Sequence, residues 1–344
     1  MKKAELDIYC VVPNFNGVAD LPACIDSLLA QSLPCKVVVA DNGSSDGSVD
    51  AIRAYAGQGV KLVKNRRNLG FAGGVNSGIG YALARGATHV ALFNNDAVAE
   101  PKWLAELLAG FDCAPQAGIV TGKLLKMGEQ KPAVIDSTGD VFSIWGLAFP
   151  RGREEPDNGQ YDRPEYVFSA SGGASLYRAE VFQRAGLFDE DFFAYYEDVD
   201  FSFRAQLAGY RVYYQPTAVA WHKIGATSRK MPGFTAYHSF KNTLLLPYKN
   251  LPLALLLRYA PRFWLIFLLL FVGQIRQGNG WPVIRGSLVA LLLLPKKTVQ
   301  RWRIQAARKV SSRYIDSLLY HDLPPDRHRL RRLRQRLKPR RGRQ

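Results

Sequence analysis

The first 115 residues alternate, four times over, a short apolar run with an amphipathic segment, and each apolar run ends in polar turn residues. "LDIYCVV" (6–12), "CKVVVAD" (35–41), "VKLVKN" (60–65) and "THVALFNND" (88–96) are the four runs. Runs of this kind belong to strands buried on both faces. "DLPACIDSLLAQ" (20–31) follows the first, with Leu21, Ile25, Leu28 and Leu29 on one helical face and Asp20 placed as its N-cap. "SVDAIRAYA" (48–56) gives a second helix, and "GFAGGVNSGIGYALARG" (70–86) begins as a glycine loop and ends as a third. "PKWLAELLAGF" (101–111) gives a fourth, with Pro101 suited to a first turn. Strands alternating with helices predict an α/β unit with helices on both faces of a largely parallel sheet. Ligands of such sheets bind beyond the carboxyl ends of the strands. "PNFNG", "DNGSSDGS", "NRRNLGF" and "NND" all fall there, so one crevice should collect them.

Beyond residue 115 the pattern loosens. "AGIVTGKLL", "PAVIDSTGD" and "VFSASGGASLYR" read as strands, and residues 142–166 as a mobile loop rich in Gly, Pro, Arg and Glu. "EDVDFSFRAQLAGY" (197–210) is an amphipathic helix, and "RVYYQPTAVAWH" (211–222) returns to strand. From Leu251 the chain turns strongly apolar, but Arg258, Arg262, Arg285, Pro252, Pro261 and Pro282 interrupt it. Its longest stretch without a charge, Phe263 to Ile275, is 13 residues. A simple membrane-spanning helix needs about 20. Helices lying in one leaflet, with arginines reaching back to the head groups, fit this pattern. Helices packed on the soluble domain are the alternative. The division expected is therefore 1–245 (a nucleotide half to 115, an acceptor half after it), apolar helices over 246–295, and a tail over 296–344.

Charge is concentrated in that tail. Of the net +17, residues 296–344 hold 17 Lys/Arg against 3 Asp/Glu, leaving only about +3 for the rest. A near-neutral domain with a basic tail suits an anionic membrane surface or nucleic acid. Cys10, Cys24, Cys35 and Cys113 form no CxxC pair, so reduced thiols in a cytosolic compartment are expected. "MKKAELDIYCVV" has no apolar stretch adequate for a secretory signal.

Three polar constellations carry chemistry. "NND" ends the fourth strand, and Asp96 with phosphate oxygens could hold Mg²⁺ or Mn²⁺. A plain polar turn is the competing account. "NLGFAGGVNSG" can turn backbone N–H groups toward a pyrophosphate, although it matches neither GxGxxG nor a P-loop. "FDEDFFAYYEDVDFSFR" (188–204) sets carboxylates among aromatic rings, an environment suited to a general base. Glu197 and Asp198 open a helix there, where the dipole favours negative charge.

The succession "VVPNFNG", "DNGSSDGS", "NLGFAGGVNSG", "FNND", "SGGASLYR", "GLFDEDFFAYYEDVDFSFR" and "WH" resembles glycosyltransferase family 2, in particular its rhamnosyltransferase-like and galactofuranosyltransferase-like bacterial branch. The likeness runs from about residue 6 to about residue 245. It implies the GT-A fold, a Rossmann-like mixed sheet with helices on both faces, followed here by membrane-associated helices. It also implies a nucleoside-diphosphate sugar donor, a divalent metal and inversion at the anomeric carbon. Pro13, Asn14, Asn16 and Asp41 would then contact the nucleoside. Asn68, Gly70 and Asn76 would line the pyrophosphate and sugar pocket, with Asn94 and Asn95 near ribose and phosphate. Asp96 and His222 would bind the metal. Gly172 and Gly173 would border the acceptor. Of the pair Glu197 and Asp198, Asp198 would be the base.

Asn94 departs from the usual first aspartate of the metal motif. "HSFKN" (238–242) stands where processive polysaccharide synthases carry QxxRW, so addition of one or a few sugars is expected. The expected acceptor is lipid-linked or a surface glycan in cell-wall or polysaccharide synthesis, met at the cytoplasmic face of the bacterial inner membrane. Two other functions compete: a sugar-nucleotide pyrophosphorylase, and a nucleic-acid-binding protein using "RHRLRRLRQRLKPRRGRQ". That tail lacks the interleaved aromatics that stack on bases, so no nucleic-acid partner is expected.

Overall fold

The computed structural model describes residues 6–128, 130–223 and 231–323. The first part of the chain runs β1 (Ile8–Asn14), α1 (Leu21–Leu29), β2 (Lys36–Asp41), α2 (Ser48–Arg53), β3 (Val60–Lys64), α3 (Gly70–Leu83), β4 (His89–Phe93), β5 (Ala97–Ala99) and α4 (Trp103–Cys113). The second half adds β6 (Ala117–Lys126), β7 (Ile135–Ser137), β8 (Asp140–Phe142), β9 (Ala148–Pro150), β10 (Glu165–Val167), β11 (Ala174–Arg178), α5 (Ala179–Ala185), α6 (Glu197–Leu207) and β12 (Arg211–His222). Four helices close the described chain: α7 (Phe234–Asn250), α8 (Leu253–Arg276), α9 (Gly280–Ala306) and α10 (Ser312–Leu318).

The main sheet has the order β10-β12-β6-β11-β4-β1-β2-β3, with β5 on β12 and β7 on β6. Strands β4, β1, β2 and β3 are parallel, while β11 enters antiparallel between β4 and β6. Successive strand residues face opposite layers, as the two-residue period of a strand requires. Cys10 and Val12 of β1 pack with α1 and α4 side chains such as Cys24, Ile25 and Trp103. Tyr9 and Val11 pack on the other side with Val75 and Ile79 of α3. Both faces are therefore dry, which explains the continuous apolar runs.

A third core joins the two parts of the chain. Phe142, Phe192 and Phe203 pack with Leu245 of α7, Tyr259 of α8, Ala290 of α9 and Ile315 of α10. The boundary expected at 245/246 falls inside α7. At Gly286 a Cβ would collide with the Tyr237 carbonyl, so glycine lets α9 cross close to α7.

Several local expectations need correction. The strand before "NND" stops at Phe93, and β5 rather than a helix follows, because Ala97–Ala99 pairs antiparallel with the end of β12. Pro101 lies two residues ahead of α4 instead of in its first turn. Asp20 makes no side-chain cap; its carboxylate accepts from Lys223 Nζ at 2.7 Å. Residues 142–166 are a tethered excursion rather than a loose loop: Arg153 pairs with Asp136 at 2.6 Å, and Asp157 with the buried Lys123 at 3.0 Å. The interrupted apolar stretches form continuous helices through Pro261 and Pro295. At 24 residues α8 is long and apolar enough to cross a membrane, contrary to the estimate from uncharged stretches. The four cysteines are free, with Cys113 exposed. The arginine-rich stretch 327–344 lies outside the described residues.

Candidate active site

The carboxyl ends of β1, β2 and β4 meet where the strand order reverses at β1, the switch point at which open α/β sheets bind ligands. A cavity of about 570 Å³ opens there. Pro13, Asn14, Asn68, Gly70, Asn94 and Asn95 line it, with Asp96 and His222. Gly172, Gly173, Glu197 and Asp198 line it too, and Gly173 adjoins Asn94, whose N–H it accepts at 2.9 Å. Residues separated by more than 200 positions thus share one wall.

The asparagines form a lattice. Asn95 Nδ2 donates to Asn14 Oδ1 at 2.7 Å, and Asn14 Nδ2 donates to Asp41 Oδ1 at 3.0 Å. Asp41 is fully buried, and its other oxygen accepts from the N–H groups of Gly43 and Ser44. Asp41 therefore shapes the β2 loop from beneath the cavity wall. Asn16, in left-handed backbone, accepts from Ser45 N–H at 2.9 Å and ties the β1 loop to the β2 loop. Asn68 accepts from Gly70 N–H at 2.8 Å. Gly70 has φ +72°, and any Cβ there would strike Phe193. Asn76 sits apart from the cavity, inside α3, where it bonds both backbone groups of Phe188 and reaches Glu190.

At the end of β12, His222 Nε2 faces Asp96 Oδ1 at 3.1 Å and Asn94 Nδ2 at 3.1 Å. Its Nδ1 is held by Asp136 Oδ2 at 2.7 Å. Burial works against the imidazolium, but the bonds to Asp136 and Asp96 outweigh it and hold the His222 pKa at about 9. Asp136 was not singled out from sequence, although an acid inside the apolar run "PAVIDS" was a signal. Among the described residues no three His, Cys, Asp or Glu side chains converge into a closed metal cage. One carboxylate and one imidazole, which must release its Nε2 proton to act as a ligand and is backed by a carboxylate on the far ring nitrogen, form instead an open donor set. Such a set suits a divalent ion that takes its remaining ligands from phosphate oxygens.

Asp198 lies half-buried in the first turn of α6, where the helix dipole favours a carboxylate. Its oxygens accept from Gly172 N–H at 3.1 Å and Val199 N–H at 2.8 Å. Burial raises its pKa, and those backbone donors only partly offset the rise. Glu197 is buried, and its Oε2 has no hydrogen-bond partner. Burial, then the neighbouring Asp198 charge, pushes its pKa well above the usual carboxylate range. Asp140, a second acid that sequence reasoning passed over, lines the cavity and is raised well up by burial and by Asp198.

The segment before α6 is strained. Phe193, Tyr195 and Tyr196 all have φ between 65° and 68°, unusual for bulky side chains. Asn242 of α7 holds that shape, with Nδ2 donating to the carbonyls of Phe192, Ala194 and Tyr195 at 2.7–3.0 Å. Lys241 donates to the carbonyls of Asp191 and Phe192. "HSFKN" is thus the brace of the loop that carries Asp198. Buried charge reinforces it: Lys249 bridges Asp189 and Asp200, and Lys297 of α9 bridges Asp189 and Asp191.

Residues 9–186 match the sequence profile of Glycosyl transferase family 2. The chain belongs to this family. It is a glycosyltransferase, and its fold is GT-A. An N-acetylglucosaminyl-diphospho-decaprenol L-rhamnosyltransferase of Mycobacterium tuberculosis is 31% identical over 236 residues, covering 61% of this chain and 74% of that protein. The dTDP-rhamnosyl transferase RfbF of Shigella flexneri is 28% identical over 265 residues, covering 73% of this chain and 84% of that protein. Among solved structures, a mannosyltransferase of Pyrobaculum calidifontis in complex with GDP-Man and Mn²⁺ superimposes with a TM-score of 0.51. It covers 87% of this chain and 85% of its own, at 17% identity.

Proposed function

We propose that this glycosyltransferase moves a rhamnose-type sugar from a nucleoside-diphosphate donor to a hydroxyl of a lipid-linked or surface-glycan acceptor, with inversion, in bacterial cell-wall or polysaccharide synthesis. The observation that carries the reading is that Asp198 and the Asp96–His222 pair line one cavity at the sheet's switch point. The named substrates of the Mycobacterium and Shigella relatives favour the rhamnose-type donor, and the first of them favours a lipid diphosphate acceptor.

In this reading the Asn14–Asn95 lattice and the loops of Asn16 and Asn68 shape the donor side. Gly172 and Gly173 leave room for the acceptor beside Asp198. Asp198 takes the proton of the acceptor hydroxyl while that oxygen bonds to C1 of the sugar. The C1–O bond to the diphosphate breaks, and the pair of electrons leaves with the diphosphate. The raised pKa of Asp198 brings the carboxylate closer to the working pH, where a general base is most effective. Asp96 and His222 would hold a divalent ion, Mg²⁺ or Mn²⁺, with Asp136 fixing the ring. When bound, such an ion stabilises negative charge on the departing diphosphate.

Residues exposed on α8 and α9 support placement against the cytoplasmic membrane face, where nucleotide sugars are made. Family membership sets aside the pyrophosphorylase alternative. The nucleic-acid alternative rests on the tail outside the described residues.

The test is transfer from a panel of dTDP-, UDP- and GDP-sugars to lipid-linked acceptors, with the product anomer read by NMR. Transfer of a rhamnose-type sugar with inversion is expected. Retention, or turnover only with other donors, refutes the reading.

A further inference from the structure

A second, smaller cavity of about 220 Å³ lies between α7, α8 and the turn that leads into β9. It shares Ala148, Phe149, Tyr196 and Ser239 with the main cavity, so the two adjoin. Tyr196 stands two residues before Asp198, which places the inner end of this slot beside the base. The outer wall is α8, through Phe267, Leu270 and Gln274.

Three properties define an occupant. None of the described residues that line the slot is charged, so a sugar nucleotide or a bare diphosphate finds no counter-ion there. The volume is below the roughly 300–1,000 Å³ of a self-standing ligand pocket, so it suits part of a ligand whose remainder lies elsewhere. The helix that supplies the outer wall turns its opposite face to solvent. Trp264, Leu265, Leu268 and Leu269 are 46–57% exposed, within one turn of Phe267 and Leu270. An apolar outer surface, an uncharged slot and the catalytic base therefore follow one another in space.

We infer that this slot is a binding site for the hydrocarbon segment of a lipid-linked acceptor, the part nearest its phosphate, entering from the α8 side toward Asp198. The inference rests on the lipid-acceptor reading above and names the place where that acceptor is held. It gives α8 two roles: its outward face meets the lipid surface, and its inward face guides one lipid out of it.

The experiment uses the full chain in phosphatidylcholine vesicles with a diazirine-tagged farnesyl diphosphate, irradiated and mapped by mass spectrometry. Adducts are expected on the peptides of Phe149 and Phe240, which belong to the inner walls, as well as on the outward face of α8. Leu270→Trp, which fills the slot, should cut the Phe149 and Phe240 adducts about tenfold, leaving nucleotide affinity unchanged. Thr243→Phe fills it from the opposite wall and serves if the first variant unfolds. Adducts confined to the outward face, or slot adducts unchanged by both variants, overturn the inference. Slot labelling that persists while no lipid-linked acceptor is glycosylated from the donor panel would instead sink the proposed function alone.

Discussion

At the residue scale the site depends on which groups keep or give up a proton. Asp198→Asn preserves size and hydrogen bonding but cannot accept a proton. Turnover should fall by about 10²–10⁴, the usual worth of a general base, with donor affinity retained in calorimetry. Because burial raises the Asp198 pKa, the deprotonated base is lost as pH falls through a value above the ordinary aspartate pKa. The acid limb of kcat/KM against pH should therefore lie above about 3.9, and Asp198→Asn should abolish it. Asp136 acts through another residue. Asp136→Asn should weaken Mn²⁺ affinity, measured in the presence of nucleoside diphosphate, by about 10–100-fold, as loss of an outer carboxylate does. Asp96→Ala should abolish metal-dependent transfer with little change in the thermal midpoint. Asp96 and His222 stood out in sequence as polar residues closing apolar runs, and the structure brings their side chains to 3.1 Å. Asp136 did not stand out, because its partner His222 lies 86 positions away and no local pattern records the pairing. Asp41, ending β2, and Asn76, inside α3, were visible as polar residues near the sheet's carboxyl edge, yet local spacing could not distinguish a cavity wall from the scaffold behind it.

At the scale of elements, the loop 188–196 is held from outside its own domain. Buried Asp189 and Asp200 and half-buried Asp191 meet Lys249 and Lys297, whose side chains are almost fully buried. Removing one partner of a buried pair leaves an uncompensated charge, which costs about 3–5 kcal/mol. Lys297→Met should therefore destabilise the chain by about 3 kcal/mol, the low end, since Asp189 keeps Lys249. The urea midpoint checks it. The same argument revises what a shortened chain would do. Ending the protein near residue 250 removes Lys297 and the α8, α9 and α10 side chains of the third core. From sequence alone that cut is expected to release a soluble domain deprived only of its acceptor; the structure predicts a destabilised one with a disordered loop before Asp198. Carboxylates among aromatic rings were legible as a partly buried wall. Their lysine partners were not, because Lys297 lies 108 positions from Asp189, inside a stretch whose composition speaks of lipid.

For the whole molecule, the decisive feature is an apolar surface that the fold leaves uncovered. Leu257, Trp264, Leu268, Trp281, Leu292 and Trp302 are 56–79% exposed on α8 and α9. Scattered exposed leucines are ordinary, but this many large apolar side chains, three of them tryptophans, more than half exposed on two neighbouring helices mark an interaction surface. Each large apolar side chain, if fully buried in lipid, contributes about 1.5–3 kcal/mol. Lys and Arg near an anionic leaflet add about 1 kcal/mol each. Although α8 is long enough to span, Leu255, Tyr259, Ile266 and Phe267 pack it along its length against the rest of the protein. A helix held this way lies on the bilayer while its opposite face enters it. Trp264→Asp combined with Leu268→Asp should therefore leave folding nearly unchanged, since both positions are already exposed. Flotation with anionic vesicles should fall by more than about tenfold, the equivalent of 1.4 kcal/mol. Loss of residues 326–344 should weaken flotation chiefly at low salt, because screening removes a charge-driven contribution and spares an apolar one. If the full chain stays in the soluble fraction of a lysate at physiological salt without detergent, or if the double variant floats as well as the native chain, the membrane placement is wrong.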